Sequence, residues 1–446
     1  MASTYISRVN GTPTSAYKWT WSGWVKRAKL GTRQMFFRVI NPSSTADYAY
    51  IEFDGANDNL QYIEYDGTNA INGITNAKYR DTSGWYHIVV ATDTTQVTGS
   101  DRIKLYVNGE QITSFATHTY GILNQTTRAN SSGKTLAIGA NGTGSNLYFD
   151  GSMSHVNFVD GLQLSASDFG EYDANGVWKI NTSPSVTYGT NGFFILKDGN
   201  SVTDQSGNGN NFTVAGGTLT NTEDSPSNVF ATLNSLTKTG NDIKTVGNGN
   251  TSVTASSSSA WGSLYSTLGA STGKFYCEVK ITDTYGPDAN NFALGIQDVT
   301  TFNQSSNEEI STNSTGFAYK GNGNKMTNNS QTSYGNTYTT GDIVGVAMDL
   351  DNQKLYFSKN GTWQNSGVPT SGSTGTGSAF DLVSGTTYVF GMASYYTQDD
   401  YQFNFGNGYF GTTAVSSAGT NASGNGIFEF DVPTGFTALS TKGLNL

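Results

Sequence analysis

Ile103-Lys104-Leu105-Tyr106-Val107-Asn108-Gly109 is the stretch on which the fold is read. Ile103, Leu105 and Val107 recur with a period of two, which places them on one face of an extended strand. Asn108-Gly109 follows at once. Both positions of a tight type I′ hairpin turn need φ above zero, and Asn-Gly meets that need with little strain. The second half of the chain repeats the device as Lys354-Leu355-Tyr356-Phe357 followed by Asn360-Gly361. Working outward, short strands suit 85–91, 136–138, 154–158, 275–281, 343–350, 389–393 and 401–405. Gly, Asn and Ser turns separate such runs at intervals of about 8–12 residues, the spacing of an all-β sandwich or barrel. Helical periodicity is nearly absent. Ser165-Ala166-Ser167-Asp168 is the one candidate, a capping-box start to a short helix. The reading is therefore all-β: two β-sandwich (jelly-roll) domains in tandem with very little helix.

The chain has 446 residues, too many for one ordinary core. Two polar, strand-poor stretches stand out. The one at 220–228 holds Pro226 and is read as the boundary, giving domains 1–228 and 229–446. The one at 238–259 reads as a long polar loop or an edge-strand excursion within the second domain. Charged residues make up only 13% of the chain, about half the usual share. Asn, Ser, Thr and Gly take their place, so contacts of this surface should depend weakly on salt. The net charge of −10 has no basic patch beyond Lys26, Arg27, Lys29 and Arg33, which argues against nucleic acid as a partner. Cys277 is the single cysteine, so no internal disulfide forms. Residues 1–8 lack the pattern of a signal peptide, and no run nears the ~18 apolar residues that span a bilayer. No membrane insertion is expected.

Several motifs imitate chemistry. Gly269-Ala270-Ser271-Thr272-Gly273 has the nucleophile-elbow spacing, but a strand follows it where an elbow requires a helix. Gly406-Asn407-Gly408-Tyr409-Phe410-Gly411 has dinucleotide-loop spacing without a following helix. Asp204-Gln205-Ser206-Gly207-Asn208-Gly209 imitates the first half of a calcium loop, yet Ala215 stands where a bidentate Glu belongs. His87, His118 and His155 show no metal spacing. Glu52/Asp54 and Glu429/Asp431 alternate on strand faces and are the pairs a glycoside hydrolase would need, but no further acid extends either pair. No catalytic residue is assigned, and the chain is read as non-enzymatic.

Aromatics are the positive feature: 25 Tyr, 24 Phe and 7 Trp. Tyr395, Tyr396 and Tyr401 flank Asp399 and Asp400 in one loop, Trp363 sits beside the Asn360-Gly361 turn, and Tyr285 lies in another loop. Tyr and Trp beside Asp and Asn can stack on sugar faces while bonding hydroxyls, or can anchor a protein partner. These seven residues are the candidate ligand-binding set.

The first half resembles the laminin-G/concanavalin A-like jelly roll. The resemblance rests on Trp19-Thr20-Trp21-Ser22-Gly23-Trp24-Val25-Lys26, Gly84-Trp85-Tyr86-His87-Ile88-Val89-Val90, the 103–109 hairpin, Leu136-Ala137-Ile138-Gly139 and Phe149-Asp150-Gly151-Ser152-Met153. It implies that Asp150 can serve a calcium ion, which with Asp204 makes two candidate metal positions; otherwise no cofactor is expected. The second half resembles a SPRY domain through Gly273-Lys274-Phe275-Tyr276-Cys277-Glu278-Val279, Gly341-Asp342-Ile343-Val344-Gly345-Val346-Ala347-Met348-Asp349 and Phe403-Asn404-Phe405-Gly406. In that family the loops form the partner-binding surface. The two together, with Val432-Pro433-Thr434-Gly435-Phe436, resemble proteins of marine tailed phages. That resemblance implies a virion-surface protein, a tail-fibre component or head decoration, made in the host cytoplasm. Its partners would be other virion proteins and a host-surface glycan or receptor, and it would act as a homo-oligomer. A purely structural assembly role and a polysaccharide depolymerase are the alternatives.

Overall fold

The structure, a computed structural model, describes residues 3–68, 70–142, 147–197, 199, 202–237, 245–254, 260–284, 289–302 and 309–446. It is all-β, and its helical residues are confined to single 3-10 turns. One of these, Ala166–Asp168, carries the expected capping box: Ser165 N donates to Asp168 Oδ2 at 2.8 Å. No helix of the described residues is long and apolar enough to cross a membrane.

The chain divides into two compact units, 1–221 and 222–446. The boundary falls ahead of the 228/229 position expected from composition. The polar stretch is stitched into the second unit: Glu223 N donates to Asn407 O, and Asn228 Nδ2 to Asn425 Oδ1 at 2.9 Å. Asn228 Oδ1 in turn accepts from Lys442 N.

Among the described residues the first unit has two main antiparallel sheets. Across the larger, the order is Phe115–Thr119, Ala70–Lys78, Asn59–Tyr65, Ser44–Phe53, Gln34–Asn41, Thr135–Ile138, Tyr5–Val9 and Thr213–Gly216. The smaller runs Phe193–Ile195, Gly151–Asp160, Lys18–Arg27, Tyr86–Asp93, Ile103–Val107 and Glu110–Gln111. Trp19 and Trp21 point between the sheets, where Trp19 stacks on Phe37 and on Phe158. Trp21 folds over Gly23, whose Cβ would lie 2.7 Å from the indole. Burying each such ring stabilises the sandwich by about 1.5–3 kcal/mol.

In the second unit one sheet runs Thr245–Gly247, Ser252–Thr254, Asp400–Asn404, Lys274–Asp283, Ile343–Asp349, Lys354–Lys359 and Thr362–Trp363, with Phe380–Asp381 and Thr437–Ala438 attached to it. The facing sheet runs Gly262–Tyr265, Tyr388–Ser394, Phe292–Asp298, Gly316–Lys320, Asn324–Thr327 and Ser330–Ser333. The described part of the polar 238–259 stretch is thus an edge hairpin. Both Asn-Gly turns form as read. Asn108 and Gly109 have φ of 50° and 87°, and Asn360 and Gly361 have 47° and 78°.

Four sheet faces look outward, two in each unit, and the chain covers three of them. In the first unit Leu164, Phe169, Trp178, Val186 and Tyr188 lie over the smaller sheet, on Val89 and Val159. In the second unit Phe428, Val432 and Phe436 cover Tyr276, Ala347 and Tyr356, while Trp261, Phe302 and Ile310 cover Ala293, Ala318 and Ala393. On the outer face of the first unit's larger sheet Ile40 and Ala137 are buried beside Gly142, and the part carrying Tyr48, Ile63 and Tyr65 is the open one among the described residues.

Candidate functional site

That open part of the face is built from alternation in Ser44–Phe53. Ala49, Ile51 and Phe53 point inward and are fully buried, so Tyr48, Tyr50 and Glu52 must point outward. Cross-strand register then fixes their neighbours. Arg38 stands opposite Tyr50, Tyr65 opposite Tyr48, Ile63 opposite Tyr50 on the other side, and Gln61 opposite Glu52. The rings form a row: Tyr48 stacks near-parallel on Tyr50 at 5.8 Å and meets Tyr65 at 5.9 Å. Tyr48, Ile63, Tyr65 and Gln61 are half-buried, so one side of the row faces out.

Two guanidinium groups lie on this row. Arg33 Nε donates to both Glu52 oxygens, at 2.8 and 3.1 Å, and its guanidinium lies 5.5 Å from the Tyr50 ring centre. Burial pushes the Glu52 carboxyl up even against Arg33, and burial beside Glu52 pushes the Tyr50 phenol up to about 12. Arg38 lies 4.6 Å over Tyr48 and 5.3 Å over Tyr50. It is only 8% exposed, and its Nε has no hydrogen-bond partner. The remaining acids nearby are paired: Asp47 with Lys134 and Arg128, and Asp66 with Arg128. The face is thus an aromatic shelf with one guanidinium left over, a surface able to stack on a flat ligand and to receive an acceptor oxygen. Sequence reasoning singled out Glu52 here as one of an acid pair and Arg33 as one of a sparse basic set, and neither as part of an aromatic face. The available signal was Tyr48-Ala49-Tyr50-Ile51-Glu52, an alternation whose polar phase is aromatic.

The seven loop candidates do not form one site. Tyr395 packs edge-on against Trp261 at 5.5 Å and Tyr396 at 5.1 Å. Lys320 Nζ sits 4.9 Å over Trp261 while bonding both Glu309 oxygens. This trio borders the outer face of the Tyr388–Ser394 sheet. Trp363 belongs to the other sheet, 6.3 Å from Tyr276 and 6.5 Å from Tyr356. Tyr401 is a correction: it is 0% exposed and lies in the main core, because it shares its strand face with Phe403. Asp399, 1% exposed, accepts from Tyr396 N and closes the turn, so it does not face a ligand. Asp400 is half-buried in its strand opposite Asp283. Tyr285 lies outside the described residues.

The two metal positions also serve the fold. Asp204 Oδ1 accepts from Phe194 N and Ser206 N, and Oδ2 from Ser206 Oγ and Asn210 N, all within 2.9 Å. Donors of hydrogen occupy the carboxylate where a hard cation would need it free. Asp150 is half-buried and its carbonyl accepts from Ala28 N. No group of three His, Cys, Asp or Glu gathers among the described residues. Glu429 holds Ser416, Asp431 holds Thr420, and Asp54 holds Asn57. His87 bonds Ser22 Oγ through Nε2 at 2.9 Å and accepts from Trp178 Nε1 through Nδ1 at 3.0 Å. Burial drives its pKa down to about 3, which keeps the ring neutral, and both Ser22 and His87 are sealed from solvent.

Residues 2–168 match the family model described as the concanavalin A-like lectin/glucanases superfamily, and residues 274–408 match that of the SPRY domain. Among curated proteins, an ATP-dependent RNA helicase Ddx1 of Drosophila melanogaster is 35% identical over 96 residues, which is 22% of this chain and 12% of that protein. The DDX1 helicase of Xenopus laevis is 33% identical over 101 residues, 23% of this chain and 12% of that one. The chain thus spans about an eighth of the length of these relatives. Among solved structures, the SPRY domain of human HERC1 aligns with a TM-score of 0.31 at 16% identity, over 38% of this chain and 96% of its own. A second human SPRY domain aligns with a TM-score of 0.27 at 14% identity, over 36% and 93%.

Proposed function

We propose that this chain, which carries a laminin-G/concanavalin A-like jelly roll followed by a SPRY domain, is a non-enzymatic binding module of a phage virion surface that recognises glycan. The observation that carries the reading is the shelf of Tyr48, Tyr50 and Tyr65, on the part of the larger sheet's outer face that lies open among the described residues. Tyr48 and Tyr65, half-buried on either side of the strand pair and backed by the buried Tyr50, offer stacking faces and hydroxyl partners together, which suits the two-sided chemistry of a sugar ring. The sealed Ser22–His87 pair and the turn-closing roles of Asp54, Glu429 and Asp431 favour binding over hydrolysis. Single glycan contacts are weak, so display as a homo-oligomer among other virion proteins would supply the avidity. The part in a tail fibre or head decoration comes from the resemblance to phage proteins alone.

The test is a glycan array probed with the full chain clustered on a multivalent carrier. Binding that is lost in Tyr48→Ala and Tyr65→Ala variants, with unfolding transitions unchanged, is the expected result. A silent array, or one indifferent to both substitutions, overturns the glycan reading. Locating the chain in a particle reconstruction tests the virion role separately: burial of the shelf against a neighbouring subunit would make it an assembly surface instead.

A further inference from the structure

We infer that the shelf is selective for acidic saccharides, with Arg38 receiving the carboxylate or sulfate of the sugar. This rests on the shelf being the glycan face and adds the chemical class of its ligand. Three observations converge. Arg38 is nine-tenths buried, its Nε has no partner, and among the described residues it forms no ion pair. A buried cation without a partner is costly, so a fold that retains one holds it for an acceptor supplied from elsewhere. Every carboxylate near it already has its own cation: Glu52 has Arg33, Asp47 has Lys134 and Arg128, and Asp66 has Arg128. The rings of Tyr48 and Tyr50 fix the plane of the guanidinium without using its N–H fork, because an aromatic face attracts the cation but does not take the place of a carboxylate. The fork is thereby oriented before a ligand arrives, which lowers the entropic cost of a bidentate contact. Desolvation lowers the guanidinium pKa by more than Tyr50, Tyr48 and the Arg33-paired Glu52 raise it, the direction expected for a buried charge with no ion pair of its own.

A saccharide is favoured over an acidic peptide by the flanks. Tyr65 and Gln61 are half-buried beside the row and offer a stacking face and an amide at the level of the strands, while the Tyr65 hydroxyl, which donates to Gly67 O, is left with its oxygen as an acceptor. On a chain of net charge −10 whose surface contacts should respond weakly to salt, this would be the salt-sensitive one.

The experiment uses the clustered full chain on an array of matched pairs: de-esterified and methyl-esterified oligogalacturonate, sulfated and desulfated chondroitin, sialylated and desialylated lactose. Polyglutamate and sodium sulfate serve as competitors. We expect the acidic member of at least one pair to bind about 10- to 100-fold more tightly than its neutral partner, the size of a charge-assisted contact. Arg38→Lys, which keeps the charge but not the fork, should erase most of that preference, and Arg38→Met all of it. If Arg38→Met lowers the unfolding midpoint, the decision falls to Arg38→Lys and to the salt dependence of the unaltered chain. Equal binding of both members of every pair overturns the inference while leaving glycan recognition standing. A silent array overturns both. Competition by polyglutamate as strong as by the acidic saccharide moves the ligand to a protein partner, and full competition by sodium sulfate reduces the site to a simple anion site. Either result overturns the saccharide assignment.

Discussion

The smallest unit that shapes this molecule is one asparagine used twice. Asn108 N donates to His87 O and its Oδ1 accepts from His87 N, each at 2.8 Å. Asn360 repeats the pair on Ile343, again at 2.8 Å. Each turn residue therefore takes a left-handed backbone conformation and also grips the strand next to its own hairpin. Replacing Asn108 with Gly keeps the conformation and loses one side-chain bond, a cost of about 1 kcal/mol. Replacing it with Ala loses the bond and adds the left-handed penalty, about 2–3 kcal/mol in all. Urea unfolding followed for the first unit should rank the unaltered protein, Asn108→Gly and Asn108→Ala in that order; equal midpoints for the two variants would show that the conformational term is negligible here. The turn was legible from two letters, because its chemistry is local. Arg38 was not. Its meaning depends on which side chains lie over it and which acids are already taken, and those partners come from strands distant in sequence.

At the scale of elements, alternation carried the reading further than loop composition did. Tyr401 sits two residues before Phe403, and that spacing alone puts both in the core. Grouping it with Tyr395 by proximity in the chain obscured the phase. Composition likewise gave no warning that 162–191 and the C-terminal segment would each be spent on covering a sheet face, whereas no such apolar segment lies over the shelf among the described residues. The C-terminal cover is fastened by Glu278, buried in Lys274–Asp283. Its Oε2 accepts from Glu429 N at 2.8 Å and from Asn404 Nδ2, and its Oε1 from Phe430 N at 2.8 Å and Tyr276 Oη. Glu278→Ala would strand two backbone N–H groups, each worth about 1–3 kcal/mol when left unpaired in a buried place. Hydrogen exchange should then accelerate at Glu429 and Phe430 well before it does at Val344 and Val346 in the central strand. Uniform acceleration across the second unit would mean that the cover is no separate element but part of the core's cooperative unit.

For the molecule as a whole, two buried titratable groups, one in each unit, respond to acid in opposite directions. His87 belongs to the first unit, and burial lowers its pKa from the ordinary 6.5 to about 3. The unfolded chain therefore binds its proton first. The stability it contributes is complete above pH 6.5 and drains away as pH falls toward 3. Glu278 belongs to the second unit, and burial, only partly offset by its four donors, raises its pKa from 4.5 to about 7. Here the folded state holds the proton more tightly. The contribution is complete below pH 4.5 and is lost as pH rises through 7. Between pH 4.5 and 6.5 the two terms run in opposite directions, each on the order of 2–3 kcal/mol at about 1.4 kcal/mol per pKa unit. Glu52 and Glu64 in the first unit are also raised by burial and oppose His87, so its share is read as the difference between the protein and His87→Gln. Glu309 in the second unit is raised as well and adds to Glu278, whose share is read against Glu278→Gln. Calorimetry from pH 7 to 4.5 should show the first-unit transition of His87→Gln gaining on that of the unaltered protein as pH falls. The second-unit transition of Glu278→Gln should lose ground over the same range. At roughly 2–4 °C per kcal/mol for units of this size, both differences are large enough to resolve. If the two differences keep a constant sign and size across the range, the burial of these groups does not govern how the units respond to acid.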